Sequence, residues 1–406
     1  MEKTNMEKTN MEKTNMEKTT MEKTNMNIKR ITKSNNTKKK HFNYVDRNDK
    51  QITNGAVLDR INKLVIPPAY KEVKISDVSN NYLQATGIDD KGRKQYIYRP
   101  SFIEKRAKGK YCQLKHFGQM IEQIRKDIRQ NMLSDKPIQD KTKMISLILY
   151  ILDTCHFRIG NINYYNQYKT HGVSTLLISH LKFGPRELDI EFIGKKGVIN
   201  KCSIKDPLTI KLMKELVKIA KKCKSQFVFN YNDDGKIRLI RPDEVNTFLS
   251  KYHPDIILKM YRTWAANHVF LEEMIKRQKD FKALDKSLIN KDDHKHPAKE
   301  EKRVERTRNK LIREILIEIA NKLHNTPTVS KKSYLDNNLI EIYMNDPVYF
   351  WRKISRTNKN NLTNILIDFL SKNCIVGKGN KNEMTHKKNQ KQNGGWMSYV
   401  NRYLFN

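Results

Sequence analysis

The stretch Gly87-Ile88-Asp89-Asp90-Lys91-Gly92-Arg93-Lys94-Gln95-Tyr96-Ile97-Tyr98 reads as a β-hairpin. Tyr82 to Ile88 and Lys94 to Tyr98 are the two strands, and Asp and Gly in residues 89–93 supply the backbone freedom for the reversal. The period-two alternation of a strand puts Tyr96 and Tyr98 on one face, with Gln95 and Ile97 on the other. Gly87 and Gly92 have P-loop spacing, but Arg93-Lys94 stand where Lys-Ser/Thr is needed, so a nucleotide site is excluded. Strand-like patterning extends over about 42–107.

Upstream, residues 1–25 are five tandem MEKTN copies, the fourth ending in Thr20. Such a segment cannot bury enough apolar surface to offset its ordering entropy. Together with the basic run ending Thr37-Lys38-Lys39-Lys40-His41, residues 1–41 are expected to form a disordered basic tail. Downstream the period changes. Leu114, Phe117, Ile121, Ile124 and Ile128 follow helical spacing, Ile145 to Leu152 suits a more buried helix, and Leu311, Ile312, Ile315, Ile319 and Leu323 form a stripe ended by Pro327. A second hairpin is expected where Leu188–Ile193 and Val198–Ile204 flank Gly194-Lys195-Lys196-Gly197. Residues 284–306 read as a charged linker whose Asp292, Asp293, His294 and His296 are solvated, not metal ligands. Residues 377–406 read as a flexible basic tail. The expected fold is therefore α+β, with a small N-terminal antiparallel β domain (42–107) and a mainly helical domain (108–376).

Composition narrows the function. Lys plus Arg total 80 against 44 Asp plus Glu, a net charge of +36, which calls for an anionic partner, and nucleic acid gains most from such an excess. The five cysteines (112, 155, 202, 223 and 374) show no CxxC spacing, which fits reduced thiols in an intracellular protein. The longest apolar run, Met144 to Leu152, falls far short of the ~20 residues that span a bilayer.

Five local patterns carry chemistry jointly: Phe157-Arg158-Ile159-Gly160, the hairpin tip at Lys195, Lys259-Met260-Tyr261-Arg262-Thr263-Trp264, His324-Asn325-Thr326-Pro327, and Ser330-Lys331-Lys332-Ser333-Tyr334. Taken singly, each has an ordinary use as a cap, a turn or a surface pair. Together they match one need. A tyrosine attacking a DNA phosphodiester must lose a proton from a phenol of pKa ~10. Two guanidiniums suit the charge that builds on the nonbridging oxygens. A lysine on a hairpin can protonate the departing alkoxide. The covalent link stores the bond energy, so neither ATP nor a metal or other cofactor is required.

From about Val65 to Tyr343 the chain resembles the poxvirus-type branch of the type IB DNA topoisomerases. Residues 87–98 are similar to that family's G-x-D-x-K-G-R-x-Q-Y-x-Y stretch. The resemblance implies an N-terminal β domain that grips duplex DNA, with contacts from Gln95, Tyr96 and Tyr98. It implies a catalytic domain of the tyrosine recombinase/type IB topoisomerase fold, whose β-hairpin carries the general acid Lys195. It implies Tyr334 as nucleophile in T-P-x-x-S-K-x-x-Y, Arg158 and Arg262 as the catalytic arginines, and Tyr164, Lys259 and Asn267 as DNA-binding positions. Poxvirus members carry His immediately before Thr-Pro; here Asn325 stands there and His324 lies one residue earlier. A gapless reading to Tyr334 favours Asn325 as the fifth catalytic residue, with His324 as the alternative. The implied enzyme is a monomer closing around double-stranded DNA, inside the cell or in the virion or factory of a large DNA virus.

Two other readings compete. Tyrosine recombinases share the chemistry but place His three residues before the second arginine, where this chain has Lys259. An inactive DNA-binding or packaging protein would account for the charge, but not for all the reactive residues standing in one chain.

Overall fold

The computed structural model describes residues 26–32, 42–233, 236–289, 297–355 and 362–375. The MEKTN repeats, the cluster at 292–296 and the tail from 377 lie outside them. The chain divides into two compact units, Met1–Gly109 and Lys110–Asn406.

The first unit is built on one antiparallel five-stranded sheet. Strands β1 (Ile28–Thr32), β2 (Phe42–Val45), β3 (Lys71–Ile75), β4 (Leu83–Ile88) and β5 (Lys94–Tyr98) lie in the order β2-β1-β3-β4-β5. Helix α1 (Gly55–Lys63) buries Ile61 in a small core with Ile28, Val73, Ile75 and Ala85. One expectation is corrected here: Ile28–Thr32 is not tail but a strand, paired with β2 and β3. The repeats beside it hid it, because Ile28 is the one residue of that strand that is fully buried. The β4–β5 turn is organised by Asp89. Its carboxylate accepts from the Lys91 and Arg93 backbone N–H groups at 3.0 and 2.9 Å and from the Arg93 side chain. These bonds to Arg93 hold the carboxyl at about 2. Gly92 takes the positive φ of 71° that the reversal requires.

The second unit is mainly helical. It contains most of α2 (Pro100–Leu133), then α3 (Lys141–Cys155), α4 (Ile162–Tyr168), the strands β6 (Leu181–Phe183), β7 (Leu188–Ile193) and β8 (Ile199–Ile204), and α5 (Pro207–Lys222). There follow the β9–β10 hairpin (Asn230–Asp233, Lys236–Leu239), α6 (Pro242–Ser250), α7 (Lys259–Lys276), α8 (Gln278–Ile289), α9 (Pro297–Lys322), α10 (Pro327–Ser333), α11 (Asn337–Asn345), α12 (Pro347–Ser355) and α13 (Leu362–Ile375). The helical stripe of α2 (Leu114, Phe117, Ile121, Ile124, Ile128) is buried in one core with α3 and α7. Gly118 lets α2 and α7 approach: a Cβ there would come 2.4 Å from the Trp264 ring. Of the charged stretch 284–306, the described residues 284–289 and 297–306 belong to α8 and α9. Asp285 accepts from Tyr343 Oη at 3.0 Å and Trp351 Nε1 at 2.8 Å, and pairs with buried Arg308. Burying a charge requires such pairing, and here it ties α8, α9, α11 and α12 together.

The cysteine expectation is also corrected. Cys155 and Cys202 form a disulfide across 47 residues, linking the end of α3 to β8, and Cys112 is disulfide-bonded as well. Spacing in the sequence gave no sign of it, because the pairing is made by the tertiary fold. Among the described residues no helix is long and apolar enough to cross a membrane.

Candidate active site

Tyr334 follows a seven-residue helix with strong local signals. Thr326 caps α10 by accepting from the Val329 N–H, and Pro327 occupies the first turn, where its missing N–H costs nothing. The helix stops at Ser333, and Tyr334 is 8% exposed. The Arg262 guanidinium carbon lies 5.1 Å from the centre of its ring.

Arg262 projects from α7 and is 5% exposed. It donates to the carbonyls of His156 and Leu323, at the ends of α3 and α9, where helical carbonyls lack internal partners. Arg158 lies between α3 and α4 on a backbone that only glycines permit. Its carbonyl accepts from Val173 N–H at 2.9 Å, and a Cβ on Gly172 would meet the Gly160 nitrogen at 2.3 Å and the Arg158 carbonyl at 2.5 Å. Gly160 has φ 89°. The Arg158 guanidinium donates to the Asn325 side-chain oxygen at 2.8 Å. That leaves Asn325 Nδ2 and Arg262 Nε buried with no hydrogen-bond partner. Buried donors without partners are costly, so an acceptor placed beside these two would be stabilised.

The charges act on one another. Burial pushes the Tyr334 phenol up, but Arg262 and then Arg158 outweigh it, and its pKa lies below the ordinary 10. Burial, then repulsion from Arg158, lowers Arg262 to about 10, against the pull of Tyr334. Chemically the arrangement favours a phenolate and anionic oxygens beside it.

His324 sits differently. It takes φ 49° at the end of α9, its Nε2 lies 3.3 Å from the Cys155 carbonyl, and its ring packs 5.2 Å from Phe157. Burial, with the nearby Arg262 and Arg158, lowers its pKa. Asn325, not His324, is therefore hydrogen-bonded to Arg158. Lys195 stands exposed at the tip of the β7–β8 hairpin, whose register runs from Leu188↔Ile204 to Ile193↔Ile199. It makes no hydrogen bond or ion pair to Arg158, Arg262, Asn325 or Tyr334. The hairpin joins the arginine group along its length, by the Cys155–Cys202 bridge in mid-strand and, next to the tip, by the His171 N–H donating to the Ile193 carbonyl at 3.0 Å.

Comparison with known proteins gives the family. The family described as eukaryotic DNA topoisomerase I, catalytic core, matches residues 99–360, more than half of the chain. The family described as bacterial DNA topoisomerase IB, N-terminal domain, matches residues 41–89. The chain belongs to the type IB DNA topoisomerases. It is 29% identical to DNA topoisomerase 1B of Acanthamoeba polyphaga mimivirus over 315 residues, covering 76% of this chain and 86% of that one. It is 22% identical to DNA topoisomerase 1B of vaccinia virus (strain Copenhagen) over 283 residues, 70% and 78% of the two chains.

The expected DNA contacts of this topoisomerase fall into two groups. In the first unit, Tyr96 is 42% exposed and stacks on Tyr98 at 6.3 Å, with Tyr82 beyond it at 6.5 Å. Lys94 Nζ lies 5.3 Å from the Tyr96 ring and the Arg106 guanidinium 6.0 Å from the Tyr98 ring. This aromatic and cationic ridge suits bases and phosphates. Gln95 instead donates to Asp89 at 2.8 Å, so its amide braces the turn. In the second unit, Tyr164 is 58% exposed on α4, stacked with Tyr168, and Lys259 is exposed at the start of α7. Asn267 is a correction. It is fully buried, its Nδ2 donates to the carbonyls of Thr263 at 2.6 Å and Tyr334 at 2.9 Å, and its Oδ1 accepts from Asp336 N–H at 2.8 Å. It holds the backbone of Tyr334 and cannot face DNA. Among the described residues one group could hold a metal ion: His116, His253 and Asp255, with ligand atoms within 4.8 Å of one another.

Proposed function

We propose that this type IB topoisomerase relaxes DNA through Tyr334, which attacks one strand and forms a 3′-phosphotyrosine. The phenolic proton passes to solvent water, the Tyr334 oxygen bonds to phosphorus, and the bond from phosphorus to the 5′ oxygen breaks. Arg158, Arg262 and the Asn325 amide bind the nonbridging oxygens. Lys195, brought in on its hairpin, protonates the departing 5′ oxygen. The free end then swivels, and the 5′ hydroxyl reverses the step. The first unit, with its ridge at Tyr96 and Tyr98, grips the duplex.

One observation carries the reading: Tyr334 lies against Arg262, within the field of Arg158, in a cluster that keeps two buried donors unpartnered. Fixed donors aimed where charge develops supply the largest share of such catalysis. The test is relaxation of supercoiled plasmid in EDTA without ATP. Tyr334→Phe should abolish relaxation and covalent DNA capture while duplex binding persists. Wild-type relaxation by that variant would falsify the assignment.

A further inference from the structure

The nucleophile is held by its backbone as well as by its ring. Ser333, Tyr334, Leu335 and Asp336 each have a backbone group bound by a side chain from a distant helix. Lys110 Nζ on α2 donates to the Ser333 carbonyl at 2.6 Å. Asn267 on α7 takes the Tyr334 carbonyl and the Asp336 N–H. Tyr111 Oη, also on α2, donates to the Leu335 carbonyl. Helix α10 ends at Ser333, so these carbonyls would otherwise turn to water.

We propose that Lys110 and Tyr111 are positioning residues for the reaction, fixing Tyr334 by gripping the carbonyls on either side of it. This rests on Tyr334 being the nucleophile. In-line attack tolerates little error, and displacement of a reacting group by ~1 Å can cost roughly a hundredfold in rate. Tyr334 is the first of three residues joining α10 to α11, so the bond from its N–H to the Ser330 carbonyl does not fix where the phenol points. Two anchors on one helix, on successive residues, remove that freedom.

The surroundings of Lys110 point the same way. Its ammonium is packed against the Tyr111 ring at 4.6 Å, faces Lys259 from α7 and faces Asp336 from the turn before α11. Burial, then Lys259, lowers it to about 8, and Asp336 opposes them. A neutral donor would satisfy the Ser333 carbonyl without placing a half-buried cation beside a second cation. The charge strengthens the bond to a carbonyl at a helix C-terminus, where partial negative charge gathers.

The experiment separates binding from chemistry. Single-turnover cleavage of a suicide duplex is measured at saturating enzyme, and duplex affinity is measured separately with uncleavable DNA. Tyr111→Phe keeps the ring and loses only the hydroxyl, so folding is retained. It and Lys110→Met should slow cleavage roughly tenfold to a hundredfold, with affinity unchanged within about twofold. Lys110→Arg should recover most of the rate. The ratio of wild-type to K110M rates should fall as pH rises through about 8, where the wild-type ammonium is lost, and the same ratio for K110R against K110M should stay flat. Cleavage by Y111F at the wild-type rate overturns the proposal. So does a K110M enzyme that binds DNA weakly yet cleaves normally once saturated, which would make Lys110 a DNA contact. Covalent capture by Tyr334→Phe in the same assay would instead remove the nucleophile assignment on which the proposal rests.

Discussion

Asn325 spends its oxygen on Arg158 and keeps a buried N–H without a partner, whereas the His324 ring is turned to the Cys155 carbonyl. At the scale of the residue this sets an expectation for two neighbours. Asn325→Ala removes both the brace on Arg158 and a donor to the phosphate, and should slow cleavage roughly 10²-fold, the order seen for one oxyanion donor. His324→Ala should leave cleavage within a few-fold; single-turnover kinetics on both decides it, and the reverse order would reassign the fifth position. The order of residues before Tyr334 singled out Asn325, because a gapless pattern has only one register, and the fold sets its side chain against Arg158. Asn267 was misread from the same kind of pattern, since spacing on a helix names a position but not the face that tertiary packing buries. Asp336 offers a second test. Burial raises its carboxyl to about 6, against the bonds from Asn338 that lower it. A carboxylate with a raised folded pKa is destabilising where it is charged, so its cost is absent below about pH 4 and fully present above about pH 6. Asp336→Asn can still cap α11, so its melting temperature should exceed the wild type's at pH 7 and converge with it near pH 4. A constant difference across that range would show that Asp336 does not titrate there.

Between elements, the arginine segment and the lysine hairpin are joined at two places that sequence showed unequally. The β7–β8 hairpin was legible from Gly194 and Gly197 around two lysines, and the helical stripes of α2 and α9 from apolar spacing alone. The Cys155–Cys202 bridge was not, because 47 residues separate its ends and only the packing of α3 on β8 brings them together. Closing a loop of that length restricts the unfolded chain by about 4 kcal/mol in the chain-entropy account. Both cysteines line a cavity of about 590 Å³ with His156, His268 and His324, so a small dithiol can reach them. Cys155→Ser should therefore lower stability by about 2–4 kcal/mol in denaturant titration, and dithiothreitol should destabilise the wild type by about that much more than the variant, because the Cys112 disulfide is open to reduction in both. The close pass of Gly160 and Gly172 was legible only in part: Gly160 lies within the motif, but nothing in the sequence pairs it with Gly172. A methyl on Gly172 meets backbone on both sides, so Gly172→Ala should cost about 1–3 kcal/mol and misplace Arg158. Loss of cleavage exceeding loss of DNA affinity in that variant is the expected signature.

Over the whole molecule, a net charge of +36 implies DNA binding driven by counterion release. The sequence made that partner plain while leaving open which of 80 cations meet the duplex, because charge counts say nothing about orientation. The proposed grip rests on an exposed ridge of the first unit, where Lys94 overlies Tyr96, Tyr96 stacks on Tyr98, and Arg106 reaches the Tyr98 ring. Stacked rings offer a sequence-tolerant surface, and the cations beside them offer phosphate contacts. The two contributions separate under salt. The logarithm of duplex affinity should fall linearly with the logarithm of salt concentration, with a slope near −0.9 for each phosphate neutralised. Lys94→Ala should make that slope shallower by about one phosphate contact, whereas Tyr96→Ala should weaken binding at every salt concentration and leave the slope alone. Neither change touches Arg158, Arg262 or Tyr334, so the cleavage rate of the saturated complex should match the wild type. An unaltered slope in Lys94→Ala would move the duplex off this ridge, and a slower saturated rate would mean that the ridge influences the chemistry as well as the grip.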